Sequence, residues 1–386
     1  MTDSLARSGP LSGIKIIELA GIGPGPYAGQ LLADMGAEVT VIDRPGGGMP
    51  KAIDGRGKRS IVLDLKKPEA VEALLKLVAT ADILIEGLRP GVTERMGVGA
   101  AACHAVNPGL IYGRMTGWGQ TGPWAQMAGH DINYLSMTGV LNAIGKDGQP
   151  PVPPLNMIGD FGGGSMFLVT GILAALIERG RTGKGNIVDA AIVDGTHSLM
   201  SFVHGMAGLG QWRTAREGNL LDGAAPFYRC YMTADGKFMA VGCIEPQFFA
   251  AMMERLPIDA NVYGGQHDRS AWASQHEMLE DAFATKTRNQ WASIFALTDA
   301  CVTPVLDYVE AAMHPANAER QAVLENGRWL HPQVAPRLAT QPLATHFEIA
   351  SKGGDYAAIL AEAGLTETEI SQLIAAGAVV ANKDTL

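Results

Sequence analysis

A chain of 386 residues, 47% hydrophobic and 18% charged, is long enough for about two or three domains and too apolar for disorder. Its formal net charge of −9 excludes a general nucleic-acid binder, which needs a basic footprint to neutralise phosphates. Cys103, Cys230, Cys243 and Cys301 show neither CxxC nor Cys/His ligand spacing, so neither a disulfide framework nor a zinc site is indicated. Residues 1–10 lack the apolar core of a signal peptide, and no stretch of about 18 apolar residues is evident. The C-terminal Lys383-Asp384-Thr385-Leu386 is not an SKL address. The expectation is a soluble, cytoplasmic protein without metal, membrane or nucleic-acid partner.

Residues 14–19 read as a short buried strand, followed by a Gly/Pro loop and a helix over 27–35. Strands at 38–42, 60–65, 82–86 and 110–115 continue the series, with Pro68 opening a helix to about residue 80. This alternation predicts an α/β fold with a mainly parallel, doubly wound sheet. A long apolar helix follows the glycine cluster over 162–179, then a strand at 186–191 and a helix over 192–210. The texture changes at 228–242, where Ala234-Asp235-Gly236-Lys237 between two apolar runs signals a hairpin. Helices at 246–256, 271–285, 288–297 and 305–312 complete a smaller α+β domain. Irregular Pro/Gly-rich chain over 327–342 precedes a last helix at 367–376, opened by the capping box Thr366-x-x-Glu369. The expected division is a large α/β domain over 1–200 completed by 330–386, a linker helix region at 201–225 and a small domain at 226–315. A return linker and the last part of the large domain fill 316–386.

Gly21-Ile22-Gly23-Pro24-Gly25-Pro26 follows the first strand, and Asp43 ends the second where a ribose-binding acid would sit. Pro24 and Pro26, however, lack the N–H groups that cradle a pyrophosphate, so a tight turn or a loop meeting another ligand stands beside the dinucleotide reading. Arg44, Lys51, Arg56, Lys58, Arg59, Lys66, Lys67 and Arg89 concentrate in the first third. Arg44 and Arg89 lie just past strand ends, and the loop over 54–60 is rich in Gly, Lys and Arg. In an open α/β sheet that is where ligands bind, so a phosphorylated small molecule is expected; a solvated charged face is the plainer alternative.

His130 stands in Gly129-His130-Asp131-Ile132-Asn133-Tyr134, and Asp160 in Asn156-Met157-Ile158-Gly159-Asp160-Phe161-Gly162-Gly163-Gly164. A histidine takes a proton near neutral pH, and an aspartate does so once desolvation raises its pKa. Two such bases suit removal of a proton from one face of a carbon and its return to the other. Asp160 also fits a helix N-cap, while the three glycines point to close ligand approach. His197 and His204 lie on an apolar helix, the usual place of a core histidine. A backbone N–H beside His130 is placed to steady an oxyanion. Glu245, before Pro246 at a helix start, is placed either to cap that helix or to orient a histidine.

The chain resembles the family III coenzyme A transferase superfamily and, within it, the α-methylacyl-CoA racemases, over nearly its whole length. The resemblance rests on Gly9-Pro10-Leu11-Ser12-Gly13, Ile17-Glu18-Leu19-Ala20-Gly21, residues 28–45, Arg59-Ser60-Ile61-Val62-Leu63-Asp64-Leu65-Lys66 and Glu86-Gly87-Leu88-Arg89-Pro90-Gly91. Met115-Thr116-Gly117-Trp118-Gly119-Gln120-Thr121-Gly122-Pro123, the His130 and Asp160 segments, and Gly242-Cys243-Ile244-Glu245-Pro246-Gln247 complete it. It implies a fold shared with those transferases, an interlocked homodimer and an acyl-CoA thioester substrate. No prosthetic group is implied, since CoA arrives with the substrate. CoA would meet Arg44 and Arg89 at its phosphates and Asp64, Leu65 and Lys66 near adenine, with Gly87, Leu88 and Tyr134 completing that set.

The resemblance further implies that His130 and Asp160 exchange the α-proton from opposite faces and that Glu245, reaching across the dimer, orients the imidazole. The enolate would take hydrogen bonds from the Asp131 backbone N–H and, more weakly, Asn156. Seventeen methionines, among them Met157, Met166, Met200, Met206, Met252 and Met253, suggest a pliable apolar surface for an acyl chain of fatty-acid metabolism, with plain core packing as the alternative for many of them. Two alternatives remain at this point: a CoA transferase in which Asp160 is the nucleophile, and a non-catalytic acyl-CoA-binding protein.

Overall fold

Six short apolar strands are held in one all-parallel sheet in the computed structural model, which describes residues 9–48, 51, 55–345 and 347–381. Residues 1–8, Asp54 and the terminal 383–386, each bearing on an expectation above, lie outside the described residues. The strands are β1 (Lys15–Leu19), β2 (Glu38–Asp43), β3 (Lys58–Val62), β4 (Ile83–Glu86), β5 (Ile111–Thr116) and β6 (Asn186–Ala191), in the order β3-β2-β1-β4-β5-β6. Most are buried on both faces and so read as continuous apolar runs rather than as alternation. Helix α1 (Pro24–Asp34) joins β1 to β2, starting three residues earlier than the sequence suggested because a proline suits the first helical turn.

α2 (Pro68–Val78) lies on one face, where Leu74 and Val78 share a core with Ile359, Leu360 and Val379 from the C-terminal segment. On the other face Leu32 of α1 packs with Leu168 and Ile172. Helices on both faces make the sheet doubly wound, as the alternation implied. The registers Leu19↔Ile42, Asp43↔Val62 and Glu86↔Arg114 bring the strand ends to one carboxyl edge, and the order reverses between β1 and β4. That reversal is where open α/β sheets leave a crevice for ligand.

The single helix expected from residue 162 begins earlier and differently. Met157–Ser165 is π-helical, with the Phe161 N–H bonded to the Asn156 carbonyl five residues back at 3.3 Å, and runs into α6 (Met166–Thr182). Contrary to expectation, the combined helix Met157–Thr182 is long and apolar enough to cross a membrane by length and composition, yet 39% of its apolar window is buried. Leu168, Val169 and Ile172 pack into the sheet core, as a core helix does.

The glycines here serve helix packing. A Cβ on Gly163 would stand 2.4 Å from Thr196 Oγ1, and one on Gly195 would stand 1.9 Å from the Gly163 carbonyl oxygen. They let α7 (Ile192–Leu199) lie directly on the π-helical segment.

Chain contacts divide the described structure into two units. The first holds the sheet and takes 9–138, 155–199 and 321–381; the second takes 139–154 and 200–320. The helix expected over 192–210 is therefore two: α7, and α8 (Ser201–Gly208), which opens the second unit where a linker was expected. Within that unit, antiparallel β7 (Tyr228–Met232), β8 (Phe238–Gly242) and β9 (Val302–Pro304) pack with α9 (Pro246–Met253), α10 (Trp272–Phe283) and α11 (Arg288–Phe295) around Phe227, Tyr231, Phe283 and Trp291. Residues 321–332, partly read as irregular, form the hairpin β10 (Val323–Asn326) and β11 (Trp329–Pro332). The last helix, α12 (Glu367–Ala375), carries its capping box as read.

Candidate active site

His130 sits immediately before α5 (Asp131–Thr138), a helix the sequence did not reveal. Its carbonyl accepts the N–H groups of Asn133 and Tyr134 at 2.8 and 3.2 Å, and Asn133 Oδ1 accepts the His130 N–H at 3.1 Å. Backbone and cap thus fix the residue while its imidazole stays exposed. Asp131 opens the helix, so its own N–H belongs to the first turn, where amides lack intrahelical acceptors. Its buried carboxylate has a second use: Oδ2 accepts the Asp160 N–H at 2.8 Å. A Cβ on Gly159 would fall 2.3 Å from that oxygen, so only glycine admits the contact.

Asp160 is thereby pinned by its backbone inside the π-helical segment rather than at a helix cap. Ser165 Oγ donates to the Asp160 carbonyl at 3.2 Å and to the Pro24 carbonyl at 2.7 Å, tying the segment to the start of α1. The Gly/Pro loop after β1 closes over the acid itself. A Cβ on Gly23 would stand 3.1 Å from Asp160 Oδ2, and the φ of +70° there favours glycine as well. Asn156 Nδ2 donates to the same oxygen at a long 3.5 Å. Burial pushes the Asp160 carboxyl above its ordinary range and the nearby Asp131 adds to this, while the Asn156 bond and the charge of His130 pull the other way. The two expected bases are therefore close enough to sense one another, and the carboxyl holds its proton more readily than a solvated aspartate.

Tyr134, expected against CoA, uses its hydroxyl to donate to the Gly129 carbonyl at 2.5 Å. Its ring stands edge-on to Trp118 at 4.8 Å, and Trp118 edge-on to Trp124 at 4.9 Å. Trp118, Pro123, Trp124, Met137, Val193 and His197 line an open, largely apolar hollow of about 240 Å³.

Of the basic residues in the first third, five have structural duties. Lys58 pairs with Glu18 at 2.7 Å, Arg56 with Asp34, Lys51 with Asp43 at 2.9 Å and Arg59 with Glu362 at 2.7 Å; Lys67 Nζ donates to the Ala376 carbonyl. Arg44, Lys66 and Arg89 are left exposed past the ends of β2, β3 and β4. Asp64, Leu65, Gly87 and Leu88 lie in the same turns, with Asp64 Oδ1 accepting the Lys66 N–H at 3.3 Å. Asp43 is buried and also accepts the Ser60 hydroxyl at 2.6 Å, so the ribose partner of a dinucleotide is not on offer. With prolines in the first turn of α1, that reading fails.

Glu245 lies in the second unit at the N-terminus of α9, its carbonyl accepting the N–H groups of Phe248 and Phe249 at 3.1 and 3.0 Å. Met157 and Met166 are exposed, but Met252 and Met253 are buried in the second unit's core and line no surface.

Sequence reasoning gave no role to Glu86, the buried last residue of β4, whose Oε2 accepts the Leu88 N–H at 2.7 Å. A glutamate ending an apolar strand just before Gly-Leu-Arg-Pro was the available signal. Burial pushes its carboxyl up to about 7, against the Leu88 amide and Arg114, with Glu94 and Asp189 raising it further. Between the ordinary value of 4.5 and about 7 the folded state then holds more protons than the unfolded one. Stability accordingly falls as pH rises through that window and levels off above it. Glu86→Gln is expected to remove this slope and to be more stable than the parent at pH 8 by up to about 3 kcal/mol. Urea unfolding at pH 5 and pH 8 checks it; an equal difference between variant and parent at both would contradict it.

Comparison with known proteins agrees with this architecture. The profile of CoA-transferase family III matches residues 11–350. The alpha-methylacyl-CoA racemase of Mus musculus is 43% identical over 365 residues, covering 94% of this chain and 96% of the relative. That of Homo sapiens is 42% identical over 375 residues, covering 97% and 98%. Among solved structures, a CAIB/BAIF family protein from Brucella suis superposes with a TM-score of 0.80 at 26% identity, covering 92% of this chain and 99% of its own. Matched by the family's profile over most of its length, and by relatives end to end, the chain belongs to CoA-transferase family III.

Proposed function

We propose that this protein interconverts the (R) and (S) forms of 2-methylacyl-CoA thioesters by moving the α-proton between His130 and Asp160. The observation that carries the reading is the half-buried Asp160 carboxyl, raised by desolvation and within the electrostatic reach of His130. The near-full-length likeness to two proteins named alpha-methylacyl-CoA racemase supports it. One base takes the proton from Cα, leaving an enolate conjugated with the thioester; the other returns a proton to the opposite face, and the roles swap with substrate configuration. The enolate oxygen takes hydrogen bonds from the Asp131 N–H at the start of α5, with Asn156 as a further donor. Proton transfer changes no oxidation state, so the chemistry calls for no prosthetic group. Arg44 and Arg89 meet the CoA phosphates, and Asp64, Leu65 and Lys66 lie near adenine. The reading extends to a homodimer in which Glu245 of the partner subunit orients His130.

The transferase alternative assigns Asp160 to attack on the thioester carbonyl. Racemisation needs a second base, which His130 supplies within electrostatic reach of Asp160, and relatives matched nearly end to end are named racemases, which favours the racemase reading. The two separate on proton NMR of a 2-methylacyl-CoA of known configuration in D2O without an acceptor acid. Loss of the α-proton signal with formation of the other epimer is expected. A retained α-proton, with CoA transfer once a free acid is added, would reject the racemase reading.

A further inference from the structure

The turn that presents Arg89 leaves the sheet through a residue that proton transfer does not use. Glu86 ends β4, is 3% exposed, and its Oε2 accepts the Leu88 N–H at 2.7 Å, closing a small ring of side chain and backbone over Gly87. The far side of the turn is held as well. The Arg89 carbonyl accepts the Val92 N–H at 3.0 Å, and the Pro90 carbonyl accepts Gln126 Nε2 at 3.0 Å. The backbone of Arg89 is thus clamped on both sides while its side chain is exposed at the carboxyl edge.

The surroundings give Glu86 little ionic compensation. Arg114 stands opposite it in the β4–β5 register, but that guanidinium already donates to Glu94 at 2.5 Å and to Gln120 Oε1 at 2.7 Å. Asp189 faces Arg114 from β6, so three carboxyls crowd one cation. A leucine or methionine would fill the end of a core strand without the cost of burying a carboxyl. What the carboxyl supplies instead is an acceptor oxygen aimed at one particular amide of the turn.

We infer that Glu86 is a positioning residue for nucleotide recognition: by holding the Leu88 N–H it sets the direction from which Arg89 meets the phosphates of CoA. The inference rests on the reading of Arg89 as a phosphate contact given above. The turn needs an acceptor rather than a charge, so an amide in place of the carboxyl serves as well.

The test compares the full-length protein with Glu86→Met, which fills the volume without an acceptor, and with Glu86→Gln, which keeps one. Each is assayed on a 2-methylacyl-CoA and on the matching 2-methylacyl-pantetheine thioester, which lacks the nucleotide phosphates. For the CoA ester Glu86→Met is expected to raise KM about tenfold, equivalent to roughly 1.4 kcal/mol, with kcat unchanged. Glu86→Gln keeps the parental KM, and the pantetheine ester is turned over alike by all three. An unchanged KM for the CoA ester, or an equal loss on both esters, would overturn the proposal. Calorimetric titration with free CoA separates this from the reading of the reaction. If the parent binds CoA but exchanges no α-proton, the racemase reading falls, and the ratio of Kd between parent and Glu86→Met still decides for or against Glu86. A parent that binds no CoA overturns both.

Discussion

Asp160→Asn is expected to lower racemisation by about 10²–10⁴-fold, the usual share of one positioned acid–base group, while deuterium exchange persists on one epimer only. The substitution keeps the size of the side chain. The bond from the Asp160 N–H to Asp131 Oδ2 is a backbone bond and is retained, so the π-helical segment stays in place. What is lost is a carboxyl that burial holds above its ordinary range and that therefore takes up a proton more readily than a solvated aspartate. The imidazole of His130 remains, able to remove and restore a proton on its own face of the carbon but unable to deliver one to the other. His130→Ala is the mirror experiment, with exchange surviving on the opposite epimer. Proton NMR in D2O on each pure epimer reads both variants. Exchange surviving on the same epimer in the two variants would defeat the opposed-face assignment, and parental racemisation in either would remove that residue from the mechanism.

The second large effect falls on stability. Lys58→Met is expected to cost about 3–5 kcal/mol, because it removes the cation bonded to a buried carboxylate instead of deleting both partners. Lys58 and Glu18 are 0% and 2% exposed, bonded at 2.7 Å, and Lys58 also donates to the Pro26 carbonyl at 2.8 Å. Relief by movement is barred: a Cβ on the neighbouring Gly29 would already stand 1.9 Å from Glu18 Oε2, so helix and acid are in contact there. Adding Glu18→Leu should recover most of the loss, since an apolar pair of similar volume carries no desolvation penalty. Urea unfolding of both single variants and the double gives the comparison. A loss below roughly 1 kcal/mol for Lys58→Met would place the pair with exposed ion pairs of little worth. Because the pair sits beneath α1, whose N-cap Gly23 lies beside the Asp160 carboxyl, a large loss should be accompanied by lower activity.

The sheet was legible because each of its strands is a short apolar run ended by a turn, and alternation with helical patterns leaves few topologies. That His130 and Asp160 come together was legible, since a histidine and an acid in glycine-bracketed segments stand out from a core. What the sequence concealed was long-range pairing. Arg56 and Lys58 look like ligand-binding cations until Asp34 and Glu18 are found against them. Gly163 looks like a ligand contact until Thr196 is found against it. A π-helical turn has no compositional signature of its own, so Asp160 read as a cap. The side-chain role of Asp131 was hidden for a related reason: its partner amide lies 29 positions away, and nothing local announces it. The hairpin at Val323–Pro332 was lost between a Gly-Arg turn and strands of only four residues each.

Three consecutive glycines, Gly162 to Gly164, lie within the helical segment that holds Asp160, and each forgoes about 1 kcal/mol of helix propensity relative to alanine. Left to itself such a segment would not be helical. Its order is borrowed from outside, from the carboxylate of Asp131, the hydroxyl of Ser165 on Pro24, and the close fit of α7 against glycine backbone. Asp160 therefore rides on the least self-sufficient turn of a long helix whose remainder is anchored in the core. Local opening there requires the loss of a few tertiary contacts and not the unravelling of the sheet, so the carboxyl can be re-aimed at an energy far below that of global unfolding.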